Sequence, residues 1–147
     1  MKISLCVMFV LTLLSFSNAQ SKNDKKLVEK ACWDYIDGFY KGDTTKIISS
    51  VKPSLNKLGY WKAEGEEVYK SDGYMTFEQA RKYSKRVLEE KNFPKSDAPK
   101  KVEVLDVMNQ IASAKVTLWW GTDYLLLSKE GDKWMIEQVL WEGPLQK

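Results

Sequence analysis

The hydrophobic pattern changes its period near residue 102, and this change limits the folds open to the chain. Before it, apolar residues recur at the spacing of one helix face. The clearest such set is Val28, Ala31, Cys32, Tyr35 and Phe39. After it, apolar and polar residues alternate, which predicts strands. The predicted strands cover about 102–108, 111–120, 123–129 and 133–142. Helices first and antiparallel strands last indicate an α+β fold, with helices packed on one face of a sheet.

Local signals mark the ends of the predicted helices. Gly42 ends the first helix as a C-cap, and Asp43 caps a short second helix, "TTKIISSV", which Pro53 ends. Thr76 and Gln79 form a capping box that begins a third helix. Between the second and third helices, "KLGYWK" and "EEVYKSDGYM" predict a weak hairpin.

The first residues have the pattern of an export signal. A positive charge at the second residue precedes an apolar run from Ile3 to Leu14, and the small-residue sequence "SNA" ends at Ala19. The run is too short to span a bilayer. We expect residues 1–19 to be a signal peptide and residues 20–147 to form a single domain. That domain would be periplasmic or secreted, with no membrane contact after cleavage; an uncleaved N-terminal anchor is the alternative.

Composition excludes several kinds of chemistry. The 147 residues contain no histidine, so a Ser-His-Asp triad, a Cys-His pair and a histidine metal site are all absent. The formal net charge of +3 is too small to indicate a nucleic-acid partner. Removal of Cys6 with the signal leaves Cys32, which we interpret as a small core residue rather than a reactive thiol. We expect neither a metal site nor a cofactor.

Two adjacent tryptophans raise the question of which one faces the core. Gly121 and Thr122 fit a two-residue hairpin turn, which would pair Trp120 with Asp123. Farther along this face the predicted pairs are Leu118 with Leu125 and Val116 with Leu127. The face is apolar, so we expect it to meet the helices and Trp120 to line the interior.

The opposite face of this hairpin carries an aromatic cluster. It consists of Trp119, Tyr124 and Leu126, and it is either a partner surface or a scattered apolar surface. Asp123 is the exception on the apolar face. It is either a turn residue satisfied by water and nearby backbone, or a polar group at the mouth of an apolar pocket. In the last strand, "KWMIEQVLW", both sides are mixed, so alternation does not decide which side faces inward.

Two stretches of the chain resemble a known family. "WDYIDGFYKGDTTKI" looks like the first helix and helix break of nuclear-transport-factor-2-like (NTF2-like) proteins. "TDYLLLSKEGDKWMIEQVLWEGP" is similar to the closing hairpin of the branch described as "Putative lumazine-binding". The resemblance covers about Asp24 to Pro144. It implies a cone in which a strongly curved antiparallel sheet wraps around three helices, with an apolar pocket at the wide end. It also implies a homodimer joined through sheet faces, which would suit the aromatic cluster.

The resemblance further implies a set of site residues. Tyr35 and Asp123 fall where ketosteroid-isomerase-like members place a tyrosine and a protonated aspartate, and Trp141 falls where a pocket aromatic is expected. The catalytic base of those members falls near Tyr60, where this chain has no carboxylate. That departure argues against proton abstraction from carbon.

Three hypotheses follow. The first is a non-catalytic domain that binds a small molecule in a pocket of Tyr35, Phe39, Tyr60, Met75, Trp120, Asp123 and Trp141. The second is an isomerase- or dehydratase-type enzyme that uses Tyr35 and Asp123, with Glu137 as the base; it requires Glu137 to point into the cavity beside Asp123. The third is a protein-interaction module whose core is filled by its own side chains.

Overall fold

The computed structural model describes residues 3–144, with side chains for residues 22–71 and 73–144. The helices are α1 (Ile3–Lys41), α2 (Thr44–Ser50) and α3 (Phe77–Glu89). The strands are β1 (Val51–Trp61), β2 (Lys70–Met75), β3 (Lys101–Val107), β4 (Ile111–Leu118), β5 (Gly121–Glu130) and β6 (Lys133–Glu142). The predicted signal peptide lies where no side chain is described, so its cleavage stays a prediction. Among the residues that are described, we find no helix with the apolar length that a membrane crossing requires.

The described strands form one sheet in the order β2-β1-β6-β5-β4-β3. Every neighbouring pair is antiparallel except β1 and β6, which are parallel. The α+β class is confirmed, but the sheet is mixed rather than wholly antiparallel. A parallel pair needs a long connection between its strands, and here the chain between β1 and β6 passes through α3 and four other strands.

The helix caps lie where the local signals predicted them. Gly42 follows α1 with a φ of 67°, the left-handed conformation that favours glycine. The side chain of Asp43 accepts hydrogen bonds from the backbone N–H groups of Thr45 and Lys46 at the start of α2. At α3, Thr76 and Gln79 form both hydrogen bonds of the capping box. The second helix ends at Ser50, before the predicted Pro53, which lies within β1.

The turn between β4 and β5 differs from the prediction. Leu118 pairs with Gly121 and Val116 pairs with Asp123, so Trp119 and Trp120 form the turn. Gly121 has a φ of 137°, and an added Cβ there would lie 1.9 Å from the carbonyl oxygen of Glu142. The glycine therefore serves a close approach to β6 rather than the turn. The observed pairing of β4 with β5 differs from the predicted pairing by an even number of residues, so each side chain stays on the inner or outer face predicted for it.

A β-bulge in β6 resolves the mixed pattern of "KWMIEQVLW". Leu126 pairs with Gln138 while Leu127 pairs with Ile136, which leaves Glu137 as the extra residue. Such a residue shifts the alternation by one position. As a result Trp134, Ile136 and Val139 are all buried, on the same side of the sheet as Leu125 and Leu127.

The helices cover this inner face. On α1, the side chains of Val28, Cys32, Tyr35 and Ile36 have no solvent exposure. α1 contacts β3, β4 and β6, and α3 contacts α1 and β1. The core therefore lies between the helices and one face of the sheet, and the candidate site lies within it.

Candidate functional site

A buried polar network joins α1, β1 and β5. The Tyr35 hydroxyl donates to Asp123 Oδ2 at 2.7 Å. Lys57 Nζ donates to the same carboxylate oxygen at 2.7 Å and to the Tyr35 hydroxyl at 2.9 Å. Trp120 Nε1 donates to the other carboxylate oxygen, Oδ1, at 2.7 Å. Asp123 thus accepts hydrogen bonds from three side chains.

Pairing within the sheet brings the two charged members together. Lys57 on β1 pairs with Val139, and Asp123 on β5 pairs with Trp141. β6 therefore lies between them, and both side chains point to its inner side. Asp123 is fully buried and Lys57 is 6% exposed. A charge removed from water to this extent requires a partner, and each group supplies the partner of the other.

Aromatic rings surround the ammonium group of Lys57. Its Nζ lies 5.5 Å from the ring centres of both Trp120 and Trp141, and 5.7 Å from that of Tyr35. At these distances the negative faces of the rings attract a cation. The rings and the carboxylate together favour the charged form of the lysine.

Tyr35 remains a hydrogen-bond donor in this network. Burial, followed by the nearby Asp123 carboxylate, raises the pKa of Tyr35 well above its ordinary value. Because the other two partners of Asp123 are also donors, the aspartate acts as an acceptor. The resemblance had implied an aspartate that donates a hydrogen bond, whereas here Tyr35, Lys57 and Trp120 all donate to Asp123.

A cavity of about 270 Å³ lies above the network. Its walls are mainly aromatic, and Lys57 and Gln79 contribute polar groups. The apolar walls are Phe39, Met75, Tyr83, Trp119, Trp120 and Trp141. Flat, partly polar small molecules bind in cavities of this composition. The volume lies just below the lower limit of about 300 Å³ for ligand sites.

Most of the predicted pocket residues meet at this cavity. Phe39, Met75, Trp120 and Trp141 line it, and Tyr35 and Asp123 lie in the network that contacts Lys57. Tyr60 does not line it; it is 42% exposed. Tyr60 pairs with Glu142, and two residues earlier Leu58 pairs with Leu140. Both Tyr60 and Leu58 therefore lie on the outer face.

Sequence reasoning missed Lys57. Lysine is almost never fully buried, so this position was not considered. One signal was available: Lys57 lies two positions after Leu55 and two before Gly59, the spacing of one strand face, and the structure buries all three. Alternation counted outward from Leu55 would have placed the lysine on the inner face.

The structure places Glu137 away from Asp123. Glu137 lies at the bulge, where it accepts a hydrogen bond from Ser128 Oγ at 2.7 Å and lies 3.7 Å from Lys52 Nζ. It borders a shallow depression with Leu126 on the outer face. The enzyme hypothesis required this carboxylate in the cavity, because proton abstraction needs a base within reach of the ligand. The bulge directs it elsewhere.

Trp119 was predicted beside Tyr124 and Leu126, and this placement is corrected. Because Trp119 belongs to the turn, its ring stands edge-on to that of Trp120 at 5.6 Å and borders the cavity. Tyr124 and Leu126 are each 52% exposed on the outer face. The paired residue of Tyr124 across the sheet is Leu140, which is also exposed.

Neither the network nor the cavity resembles a metal site. Among residues with described side chains, no group of three or more Cys, Asp or Glu is placed to hold a metal ion. Cys32 lies on the buried face of α1 without solvent exposure, and burial raises its pKa to about 12. A thiol in that state is a poor ligand and a poor nucleophile.

Comparison with solved structures finds the same fold in several proteins of unknown function. An NTF2-like protein from Silicibacter pomeroyi DSS-3 is 16% identical, with a TM-score of 0.60 over 85% of this chain and 96% of its own. An NTF2-like protein from Shewanella baltica OS155 is 15% identical, with a TM-score of 0.60 over 84% and 95%. A cystatin-like domain from Nostoc punctiforme PCC 73102 is 12% identical, with a TM-score of 0.55 over 84% and 79%. Identities this low establish the fold and nothing more.

Comparison with curated proteins finds no match. Residues 23–142, however, match the family described as "Putative lumazine-binding". The match covers the first stretch that carried the resemblance, all but the last two residues of the second, and all members of the buried network. The chain therefore belongs to the family described as "Putative lumazine-binding" and has the NTF2-like fold.

Proposed function

We propose that this domain binds a small planar molecule in the aromatic cavity and holds it without catalysing a reaction. The observation that carries the proposal is the position of Lys57, a buried ammonium group that borders a cavity of tryptophan and phenylalanine rings. Aromatic walls favour stacking with a flat ring system. An ammonium group at the base of such a cavity favours a carbonyl or other acceptor oxygen on the ligand.

The family name suggests a suitable probe. Lumazine is a fused-ring heteroaromatic compound with two carbonyl groups, so it combines the flat shape and the acceptor oxygens that the cavity favours. The family description concerns binding and supports this choice.

The proposal that binding is non-catalytic rests on the state of Asp123. Both of its oxygens accept hydrogen bonds, and one of them also pairs with Lys57. Among the described residues that line the cavity, none carries another carboxylate. A ligand there would meet hydrogen-bond donors and rings but no group suited to remove a proton from carbon.

Titration with lumazine, followed by tryptophan fluorescence, tests the proposal. Trp119, Trp120 and Trp141 border the cavity, so stacking should quench their emission. Trp141→Phe should weaken binding about tenfold. Trp33→Phe is the matched control, because Trp33 is 38% exposed on α1 and lies outside the cavity.

A second measurement covers ligands other than lumazine. Native mass spectra of the protein purified from its producing cells should show excess mass that disappears on denaturation. If lumazine leaves the fluorescence unchanged and the spectra show only the bare chain, the binding function is wrong. A cavity filled by its own side chains, as in an interaction module, would then be favoured.

We also propose that the domain is exported after cleavage behind Ala19. The basic residue, apolar run and small-residue site at the N-terminus support this. The mass of the protein recovered outside the cytoplasm should equal that of residues 20–147. Recovery of the full chain from the cytoplasm would contradict export.

We further propose a homodimer through the outer sheet face. Tyr124, Leu126 and Leu140 form an exposed apolar patch there, and such patches favour association. Leu126→Lys should shift the mass measured by light scattering from dimer to monomer. Leu88→Lys, on the exposed side of α3, should not. A wild-type protein that is monomeric at high concentration would overturn this proposal.

A further inference from the structure

We propose that the ligand site has a second compartment, and that the ligand is a planar head with a flexible polar extension that enters it. This inference rests on the proposed binding function and adds the class of ligand. It arises from a second cavity, which lies beside the first and has not entered the argument so far.

The second cavity has a volume of about 510 Å³. It lies between the last turn of α3, at Val87, and the segment of residues 92–99 that follows the helix. Its volume exceeds that of the aromatic cavity, and both spaces are open to solvent, so a compact ring system in the first would leave the second free for an extension.

The two cavities share three lining residues. Phe39, Tyr83 and Trp119 border both of them. The rings of Phe39 and Tyr83 meet edge to face at 5.7 Å. Trp119 is 46% exposed and lies in the turn. Because it borders both spaces, a ligand that occupies both would contact it.

The outer wall of the second compartment is tied to the first. The Tyr40 hydroxyl accepts a hydrogen bond from the Trp119 backbone N–H at 2.9 Å and donates to the carbonyl oxygen of Pro99 at 2.5 Å. Tyr40 is itself buried. One hydroxyl group therefore joins the turn that borders the first compartment to the segment that encloses the second, and the second compartment is part of the fold.

The two compartments differ in chemistry. The first is aromatic, with the ammonium group of Lys57. The second carries an amide, an ammonium group and a carboxylate, from Asn92, Lys95 and Asp97. All three residues are exposed, so they lie at the solvent-facing side of the compartment, where they can form hydrogen bonds with hydroxyl or amide groups. The extension is a polar chain that follows this side and bonds to them.

Two probes separate the compartments. One is lumazine, and the other is lumazine with a short hydroxylated alkyl chain on a ring nitrogen. Ala98 borders the second cavity but not the first, so Ala98→Trp would fill the second cavity alone. Ser96→Trp is the control, because Ser96 is exposed in the same segment and does not border the cavity.

The wild-type protein should bind the extended probe about tenfold more tightly than lumazine. Ala98→Trp should abolish this gain and leave the affinity for lumazine within about twofold, while Ser96→Trp should preserve both affinities. Ala98→Leu is a smaller change that should remove part of the gain. It replaces the tryptophan variant if circular dichroism shows that the latter does not fold.

Two other results would overturn the inference in different ways. If lumazine binds and the chain adds nothing, or if Ala98→Trp does not reduce the gain, the second compartment is wrong and the proposed function stands. If neither probe binds the wild-type protein, the proposed function fails as well, and the inference fails with it.

Discussion

The Nζ atom of Lys57 lies 2.7 Å from Oδ2 of Asp123, although the two residues are 66 positions apart in the chain. Both side chains are buried. A buried pair of this kind is held together because neither charge can reach water. Tyr35 and Trp120 add two more donors to the same carboxylate, so one aspartate connects helix α1, strand β1 and the β4–β5 turn beneath the cavity.

Removing one member of the pair should be costly. Lys57→Met leaves the buried carboxylate of Asp123 without its counter-ion, and the free energy of unfolding should fall by about 3–5 kcal/mol. Urea denaturation followed by circular dichroism measures this loss. Lys52→Met is the control, since its partner Glu137 is partly exposed at 3.7 Å; that change should cost at most about 1 kcal/mol.

The double variant Lys57→Met/Asp123→Leu sharpens the test. It removes both charges, so it should recover a large part of the stability that Lys57→Met alone loses. Equal stability of the wild type and Lys57→Met would contradict the ion pair.

Alkaline pH should destabilise the fold through Cys32. Burial, with a smaller effect from Glu29, raises the pKa of this thiol from 9.0 to about 12. Between these values the unfolded chain releases the proton and the folded chain keeps it, so stability falls as pH rises. The loss due to this group should reach about 3 kcal/mol near pH 11.

Urea denaturation at about pH 8 and about pH 11 measures this loss, in a chain that begins at Gln20 so that Cys6 is absent. Cys32→Ala should lack this component and lose correspondingly less stability over the same interval. Tyr35 adds a loss of the same sign above pH 10, because its pKa is also raised, and this part should be common to both chains. Parallel pH profiles would rule out the role of Cys32.

Gly59→Ala should disturb the cavity. A Cβ atom at this position would lie 1.8 Å from Trp141 Nε1, so the indole would have to leave its place in the wall. We expect a loss of about 1–3 kcal/mol in the free energy of unfolding, and about tenfold weaker lumazine binding by fluorescence titration.

Gly65→Ala is the matched control for this substitution. Gly65 has a φ of 82° with open space around it, so alanine there should cost about 1 kcal/mol of backbone strain and leave binding unchanged. Unaltered binding by Gly59→Ala would mean that Trp141 does not contact the ligand.

Substitution of Glu137 distinguishes binding from catalysis. Glu137 interacts with Ser128 and Lys52 rather than with the network around Asp123. Glu137→Gln should therefore leave the lumazine affinity, measured by calorimetry, within about twofold of the wild type. A tenfold or larger effect would return Glu137 to the site and revive the enzyme hypothesis.

Several features were predictable from the sequence because they depend on neighbours in the chain. The glycine after α1, the aspartate cap of α2 and the Thr76–Gln79 capping box each act within a few residues. The inner and outer faces of β5 were also predictable, because side chains alternate along any strand. Predicting these features did not require knowing which strands are neighbours in the sheet.

Other features depended on pairing between distant segments. The turn at Trp119 and Trp120, instead of Gly121 and Thr122, left the predicted faces unchanged, so alternation could not choose between the two registers. The bulge at Glu137 depends on how β6 fits β5. The bulge determines which side chains of β6 face inward, and it places Glu137 outside the site.

The sequence by itself determined the helix caps, the later strands and the α+β class, because periodicity, caps and local motifs specify them over short distances. Only the tertiary structure decided that Lys57 belongs to the site. A lysine is stable inside the core only with a carboxylate beside it, and Asp123 reaches it through the placement of β1 and β5 on either side of β6. No local pattern encodes that neighbourhood, so the charge state of the site emerges from the assembled sheet.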